Sequence, residues 1–283
     1  MTTRGTEPPD LAGLPRPRPD PTASSTGPWV ATGGRFLPDD GTRDPRWNLA
    51  LDEAIARSAG PHPTLRLWRN GRAVVVGRFQ LARAEVELAF AGATATPILR
   101  RFTGGGAVYH DPGNLNVSLV LDRDAPPLAG QPDLARLPTL YGLLLEPLAR
   151  AVEGLGLPVE RTERDLLVGG RKVSGVAAWL GRERVLVHGT LLVDADLERL
   201  GRLLAGPGDP GNPRWERTKS RRMVVTSLAE ALGRVPEAEA LDQAIAAAFG
   251  FDPRYPSAPT TAEMTLARRL LETRYLDPAW HAD

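Results

Sequence analysis

The run RRFTGGGAVYHDPGNLNVS, residues 100–118, decides how the rest of the chain is read. It sets two arginines, a phenylalanine and a threonine before three glycines, then closes on Tyr-His-Asp and Gly-Asn-Leu-Asn. Gly104, Gly105 and Gly106 carry no Cβ, so the backbone can turn sharply there and bring its N–H groups against a ligand. Successive free N–H groups in a tight turn form a concave anion site, and phosphate is its usual occupant. Arg100 and Arg101 add fixed positive charge, and a guanidinium fork matches phosphate oxygens two at a time. Arg100 is expected at a solvated rim of this loop.

The loop lacks the Gly-Lys-Ser/Thr ending of a P-loop, and no helix comes after it as a dinucleotide fingerprint requires. The chain continues instead as LNVSLVLD, in which Leu115, Val117, Leu119 and Leu121 alternate with more polar residues, the period of a half-buried strand. PILRRF, just upstream, also reads as extended. The glycines therefore join two strands and place phosphate recognition at the lip of a sheet. A Gly-rich surface hairpin with incidental arginines is the competing reading. The Arg, His and two Asn converging on one short loop favour the ligand site.

Working upstream, WNLALDEAIARSA has the spacing of an amphipathic helix, with Leu49, Leu51, Ala54 and Ile55 available to a core and Asp52 and Glu53 near its start. TLRLWRNGRAVVVGRFQ reads as a hairpin: LRLW and AVVVG are strands, and Asn70-Gly71 is a two-residue turn signal. Arg78 reads as a solvated arginine rather than a tunnel residue. Leu81 to Ala91 is expected to be one short helix. Residues 1–27, rich in Pro, Thr and Ser, cannot bury enough surface to offset their ordering entropy and are expected to be a disordered leader, with order beginning near Trp29.

Downstream, DRDAPPLAGQPD is a loop, and Leu137 to Glu153 is an amphipathic helix packing through Leu140, Leu144, Leu148 and Val152. RDLLVGGRKVSGVAAWL then reads as a hairpin turning at Gly169-Gly170. Lys172 comes just after the turn on one strand face with Ser174 and Val176. Taken alone, it is as readily an edge-strand charge that discourages aggregation as a functional group. RVLVHGTLLVDAD is a strand with Val185, Val187, Gly189, Leu191 and Val193 on one face, buried on both sides. His188 is either a core histidine or a ligand contact. Beyond a short helix, ADLERLGRLLAG, lies a basic Pro/Gly-broken loop carrying Arg217, Lys219, Arg221 and Arg222. Thr226 is expected to cap SLAEALG, and two more helices succeed it, the last with Thr260 or Thr261 as cap and Glu263 in its first turn.

Composition sets outer bounds. With 283 residues and 42% hydrophobic content the chain can bury a sizeable core, as one domain or one with a small appendage. Lys+Arg 35 against Asp+Glu 34 gives no electrostatic case for nucleic acid or an acidic membrane surface. There is no cysteine, which removes disulfides, thiolate metal sites and a thioester mechanism. The absence of a long apolar run or a signal-peptide core leads to the expectation of a cytoplasmic protein.

RRFTGGGAVYHDPGNLN, together with NLALDEA, VVVGRFQ, DLLV, GRKVSG and HGTLL, resembles the lipoate–protein ligase A family of the biotin/lipoate ligase superfamily. The resemblance runs from about Trp29 to Tyr275. It implies an α/β (α+β) fold with a mixed, largely antiparallel sheet flanked by helices, as in the biotin ligase catalytic core. It implies a catalytic domain over residues 28–283 that ends in helices, with no large accessory domain. It further implies ATP and Mg²⁺ as cofactors, lipoate as substrate, activation as lipoyl-AMP, and transfer to a lysine of a lipoyl carrier domain of 2-oxoacid dehydrogenases or of the glycine cleavage H protein.

Carried over by position, Arg101, Gly104, Gly105, Gly106, Ala107, Val108, Tyr109 and His110 would bind the nucleotide, with Lys172 both binding it and acting as the catalytic lysine. No metal-ligating residue is expected. Three departures count. Arg164 stands where the family often has Asn, and the length leaves no room for the accessory domain of longer members. The lack of cysteine excludes the octanoyltransferase branch. Short members of the family often rely on a separate accessory subunit, so a partial subunit that binds lipoyl or nucleotide ligands without completing adenylation is the alternative.

Overall fold

The computed structural model describes residues 34–58, 60, 63–125, 128–129 and 137–283. The leader, the start of order near Trp29, and much of the loop after Asp122 lie outside the described residues. In chain order the first half contains β1 (Arg35–Leu37), α1 (Pro45–Arg57), β2 (Thr64–Arg69), β3 (Ala73–Val76), α2 (Ala82–Glu85), α3 (Leu88–Ala93), β4 (Ile98–Arg100), β5 (Val108–His110), β6 (Asn114–Asp122) and α4 (Leu137–Glu153). The second half contains β7 (Glu160–Arg161), β8 (Asp165–Val168), β9 (Arg171–Leu180), β10 (Arg184–Leu192), α5 (Leu197–Leu203), α6 (Pro213–Thr218), α7 (Leu228–Leu232), α8 (Ala238–Ala248), α9 (Thr261–Leu270), a π-helical turn at Leu271–Tyr275, and α10 (Pro278–His281).

Seven strands form the main sheet in the order β1-β2-β6-β10-β9-β8-β7, antiparallel except for the β1–β2 pair. The mixed, largely antiparallel sheet flanked by helices is therefore the observed architecture. One face packs on the leucines of α4 (Leu140, Leu144, Leu148) with Leu241 and Ile245 of α8. The other face meets α1, α9 and a small sheet of order β4-β3-β5. The far side of that small sheet is closed by Ala82, Val86, Ala91 and Leu203. Burying these apolar faces, at about 25 cal/mol per Å² of area removed from water, supplies most of the drive to fold.

Several local readings change. The Asn70-Gly71 hairpin does not form: β2 pairs with β1 and β6 of the main sheet, whereas β3 pairs with β4 and β5 of the small one. Asn70 is buried, hydrogen-bonded to Asn48 and His110, and the Gly71 N–H donates to Arg43 O, so the turn passes the chain between sheets. The single helix at 81–91 is two, because the Glu87 N–H leaves the helical pattern for Leu203 O. The basic loop contains α6, begun by an Asn212 cap and Pro213 at its first turn. Ser227, not Thr226, caps α7, since its Oγ accepts the Glu230 N–H. α1 begins at Pro45 behind an Asp44 cap, so Asp52 and Glu53 lie in its second half and not near its start. Thr260 and Glu263 form a reciprocal capping box on α9, and Gly169 and Gly170 (φ 56° and 70°) make the tight β8–β9 turn.

Candidate active site

The glycine loop runs from the end of β4 to the start of β5 and lies against β9. Its Arg101 is buried beneath it: Nη2 donates to the carbonyls of Gly104 (2.6 Å) and Gly106 (2.8 Å), Nη1 to Val75 O, and Nε to Thr103 Oγ1. With the carbonyls drawn inward onto the guanidinium, the amides of Gly104, Gly105 and Gly106 have no acceptor among the described residues. Three consecutive N–H groups without a protein acceptor, backed by a buried cation, are the groups from which an anion nest is built. No carboxylate pairs with Arg101 among the described residues, and burial pushes its guanidinium down to about 10, so an incoming anion would offset a charge held out of water. Gly105 has φ +88°, and a Cβ there would lie 2.8 Å from both Ala177 Cβ and Arg101 Nη2. Gly77 is equally constrained, since a Cβ on it would fall on Gly105 O.

Arg100 does not stand at a solvated rim. Its guanidinium is buried against the carbonyls of Gly77, Gln80 and Ala282, and its N–H donates to His281 Nδ1. It ties the loop's first strand to the chain's last turn. Arg78 is exposed, as expected, and stacks on Trp280.

Lys172 reaches the same place from β9. A bulge between Leu166 and Leu167 shifts the β8–β9 register, so Val176 packs toward the main core while Gly175 and Ala177 face the site. Lys172 therefore does not share a face with Val176. Its Nζ lies where a Gly175 Cβ would be (2.6 Å) and 2.5 Å from Asp165 Oδ1. Gly175 and Ala177 are alternate residues of one strand, about 6.6 Å apart along it. Ala177 touches the glycine loop, so the amine and the free amides are neighbours on one face.

That face is polar and largely covered across five strands. One rung reads Asp165, Gly175, Thr190, Asn116, Trp68, and the next Ala177, His188, Ser118, Arg66. β6 is thus not half-buried: Asn114, Asn116 and Ser118 are covered as fully as Leu115 and Val117. Asp52 of α1 accepts from Ser118 Oγ (3.0 Å) and Arg66 Nη1, and lies 3.6 Å from His188 Nδ1. His188 Nε2 meets Thr103 Oγ1 at 2.8 Å. Thr103 Oγ1 thus accepts Arg101 Nε–H and shares a second hydrogen bond with His188 Nε2, while the other ring nitrogen, Nδ1, faces Asp52. A polar chain connects α1 to the glycine loop: Asp52 is 3.6 Å from His188, which is hydrogen-bonded to Thr103, which accepts from Arg101. Burial keeps His188 below its ordinary value despite Asp52 beside it. For Asp52, burial works upward, but His188, Arg66 and Ser118 outweigh it and hold the carboxyl low.

The remaining residues carried over by position divide between layers. Ala107 gives its N–H to Ser220 Oγ (2.8 Å). Val108 packs between the sheets, whereas Tyr109 points to the far side of the small sheet, its hydroxyl unpartnered and pushed up to about 12 by burial and then by Asp111. His110 packs edge-on against Trp68 with Nδ1 2.9 Å from Asn70 and Nε2 unpartnered. Burial, aided by the Arg101 charge, drives its pKa to about 3. Sequence reasoning did not assign Asp52, Arg66, Trp68, Thr103, Ser118, Asp165 or Ser220 to the site. The polar alternation of β6 was the one signal that could have disclosed a buried polar face.

Residues 44–250 match the family model described as the lipoyl protein ligase A/B catalytic domain. The chain is 31% identical to lipoate–protein ligase A subunit 1 of Thermoplasma acidophilum over 88% of this chain and 96% of that protein. It is 31% identical to lipoate–protein ligase 1 of Staphylococcus aureus over 72% of this chain and 60% of that protein, and it spans about half the length of the Bacillus subtilis and Mycoplasma relatives it matches. Among solved structures, a T. acidophilum lipoate protein ligase with bound lipoic acid superposes with a TM-score of 0.71 at 27% identity, covering 88% of this chain and 98% of that one. A lipoate–protein ligase A bound with ATP gives 0.70 at 27% identity over the same shares of the two chains. A chain from a bipartite archaeal ligase studied with its E2 lipoyl domain gives 0.70 at 30%, covering 88% and 95%. Among the described residues no helix is long and apolar enough to cross a membrane.

Proposed function

We propose, on the premise that this chain belongs to the lipoyl protein ligase A/B family, that it activates lipoate with ATP and passes the lipoyl group to a lysine of a carrier domain. The observation that carries this reading is the nest of three free amides at Gly104, Gly105 and Gly106, set over Arg101 and beside the Lys172 amine. A lipoate carboxylate oxygen attacks the α-phosphorus of ATP, and the bond to pyrophosphate breaks. The ε-nitrogen of the carrier lysine then attacks the acyl carbon, AMP leaves with the bonding pair, and the amine gives up a proton. Both steps bring negative charge together, and preorganised N–H groups and a fixed cation lower that cost.

Lys172 is a compact charge on a flexible stem, so it can move from Asp165 to the phosphate when nucleotide arrives. The residues carried over for the nucleotide fit an anion: the amides of Gly104 to Gly106, the charges of Arg101 and Lys172, and the backbone from Ala107 to Tyr109, with His110 beneath. The Mg²⁺ expected with the nucleotide finds no group of three carboxylate or imidazole ligands among the described residues. Carriers of the expected kind are lipoyl domains of 2-oxoacid dehydrogenases or the glycine cleavage H protein. Incubation with ATP, lipoate and such a domain, read by lipoyl-AMP formation and by mass gain on the carrier lysine, tests the reading. No mass gain, even from preformed lipoyl-AMP, would overturn it.

A second reading has a specific observation behind it. The match covers nearly all of a relative named as subunit 1, and a structural neighbour comes from a bipartite ligase. Under that reading this chain performs acyl transfer and needs an accessory subunit to form the adenylate efficiently.

A further inference from the structure

We propose that Ser220 is a further ligand of the phosphoryl anion held by the glycine loop; this rests on the reading of that loop as the nucleotide site. The basic segment carries arginines and a lysine, of which two have partners away from the loop. Lys219 pairs with Glu216, and Arg222 is bonded to Gly206 O. The residue of this segment that touches the loop is the serine between them. Its Oγ accepts the Ala107 N–H at 2.8 Å and Gln80 Nε2–H at 3.0 Å. The orientation of the Gln80 amide is fixed from both ends, because Oε1 accepts the Gly77 N–H and Nε2 also donates to Thr218 O.

A serine hydroxyl has two acceptor positions and one proton. Here both acceptor positions are filled by N–H donors, so the hydroxyl proton is what remains to be given. Among the described residues no group accepts it. Ser220 stands directly beside the nest: a Cβ on Gly106 would lie 2.9 Å from its Oγ and 3.4 Å from its Cα. Gly106 is therefore the residue that admits the hydroxyl to the row of free amides. The position is held from behind, since the Ser220 N–H donates to both carboxylate oxygens of Glu85, which is buried on α2. A hydroxyl oriented by two donors and delivered next to three unpartnered amides completes a four-donor cradle. Its ligand class is a phosphate oxygen, that of a nucleotide or of pyrophosphate.

The test compares wild type with Ser220→Ala by titration calorimetry against ATP, inorganic pyrophosphate and adenosine, with the melting temperature as a fold control. A hydrogen bond to a charged oxygen predicts about tenfold weaker binding of ATP and of pyrophosphate, and no change for adenosine, which has no phosphate. Gly106→Ala, which displaces the hydroxyl without removing it, should reproduce the loss. Unchanged ATP affinity overturns the proposal. So does tighter ATP binding, which would make Ser220 a plug on the Ala107 amide. An equal loss for ATP and adenosine overturns it as well, by showing a structural role only. Wild type that binds pyrophosphate in a Ser220-dependent way but not ATP supports the anion site and sinks the ligase reading, whereas no affinity for either anion sinks both.

Discussion

The amine of Lys172 lies 2.5 Å from Oδ1 of Asp165, over the bare α-carbon of Gly175. This arrangement explains two small features of the hairpin at once. The carboxylate holds the lysine, and the glycine leaves the space that the amine fills. A Cβ on Gly175 would meet the far end of that flexible side chain and, at 3.3 Å, Oδ1 of Asp165. Gly175→Ala should therefore leave the melting temperature nearly unchanged while moving the amine. Lys172→Ala should cut lipoyl-AMP formation by about 10²–10³-fold, the usual effect of losing one positioned charge at a reacting oxyanion. Gly175→Ala should fall between that value and wild type. A radiolabelled ATP–lipoate assay ranks the three proteins, and a Gly175→Ala enzyme as fast as wild type would show that the amine acts from another position.

The two arginines before the glycines should behave differently, although they are adjacent and chemically identical. Arg100 is buried and holds the carbonyls of Gly77, Gln80 and Ala282. Arg100→Ala leaves those carbonyls unpaired and should cost about 2–4 kcal/mol of stability, visible as a lowered urea midpoint. Arg101 instead supports the loop, and Gly105→Val, which disturbs that support, should act mainly on ATP. The φ of +88° at Gly105 and the close approach of Ala177 force the loop to move, and the free amides move with it. Calorimetry with ATP and urea titration on both variants separate the two effects. A Gly105→Val protein that still binds ATP as wild type does would remove the nest from the nucleotide site.

His110 gives a pH dependence of defined sign. Its folded pKa is depressed to about 3 by burial and by the nearby Arg101, from an unfolded value near 6.5. The unfolded chain thus binds the proton more readily, so stability is fully present above about pH 6.5 and declines as pH falls toward 3. Between pH 6.5 and 5 this one imidazole accounts for about 2 kcal/mol. His188, shifted in the same direction, adds to the decline. In urea titrations from pH 8 to 5, His110→Gln should show a shallower loss than wild type, whatever its stability at pH 8. Parallel curves would mean that His110 remains accessible to protons in the folded state.

The difference between what could and could not be read in advance comes from range. Helix limits such as Thr260 with Glu263, and the Gly169-Gly170 turn, depend on neighbours within a few residues, so they were legible. The pairing of β2 with β6 and not with β3 depends on where Asn70 is buried, which is set by Asn48 and His110 from distant segments. Lys172 and the glycines could be singled out in advance because their motifs are compact. Asp52, Thr103, His188 and Ser118 form one site only because α1, β6 and β10 meet across the sheet, and no local period announces that. Polar residues alternating along β6 suggested solvent, when in fact they face a buried polar layer.

The last expectation concerns division of labour. The chain covers nearly the whole of a relative named as subunit 1 and 60% of the Staphylococcus aureus lipoate–protein ligase 1. Forming an adenylate requires water to be kept from a mixed anhydride, and such sites are commonly completed by an element that moves onto them. In the described residues the segment nearest the nest, around Ser220, is already fastened by Glu85 and Gln80. That segment is thus not the moving element. The purified chain should accordingly acylate a carrier lysine from preformed lipoyl-AMP, yet release pyrophosphate slowly from ATP and lipoate. Addition of a matching accessory subunit should raise the second rate and leave the first unchanged. Rapid pyrophosphate release by the chain alone would show that the segment around Ser220 suffices to close the site, and the two-part reading would fall.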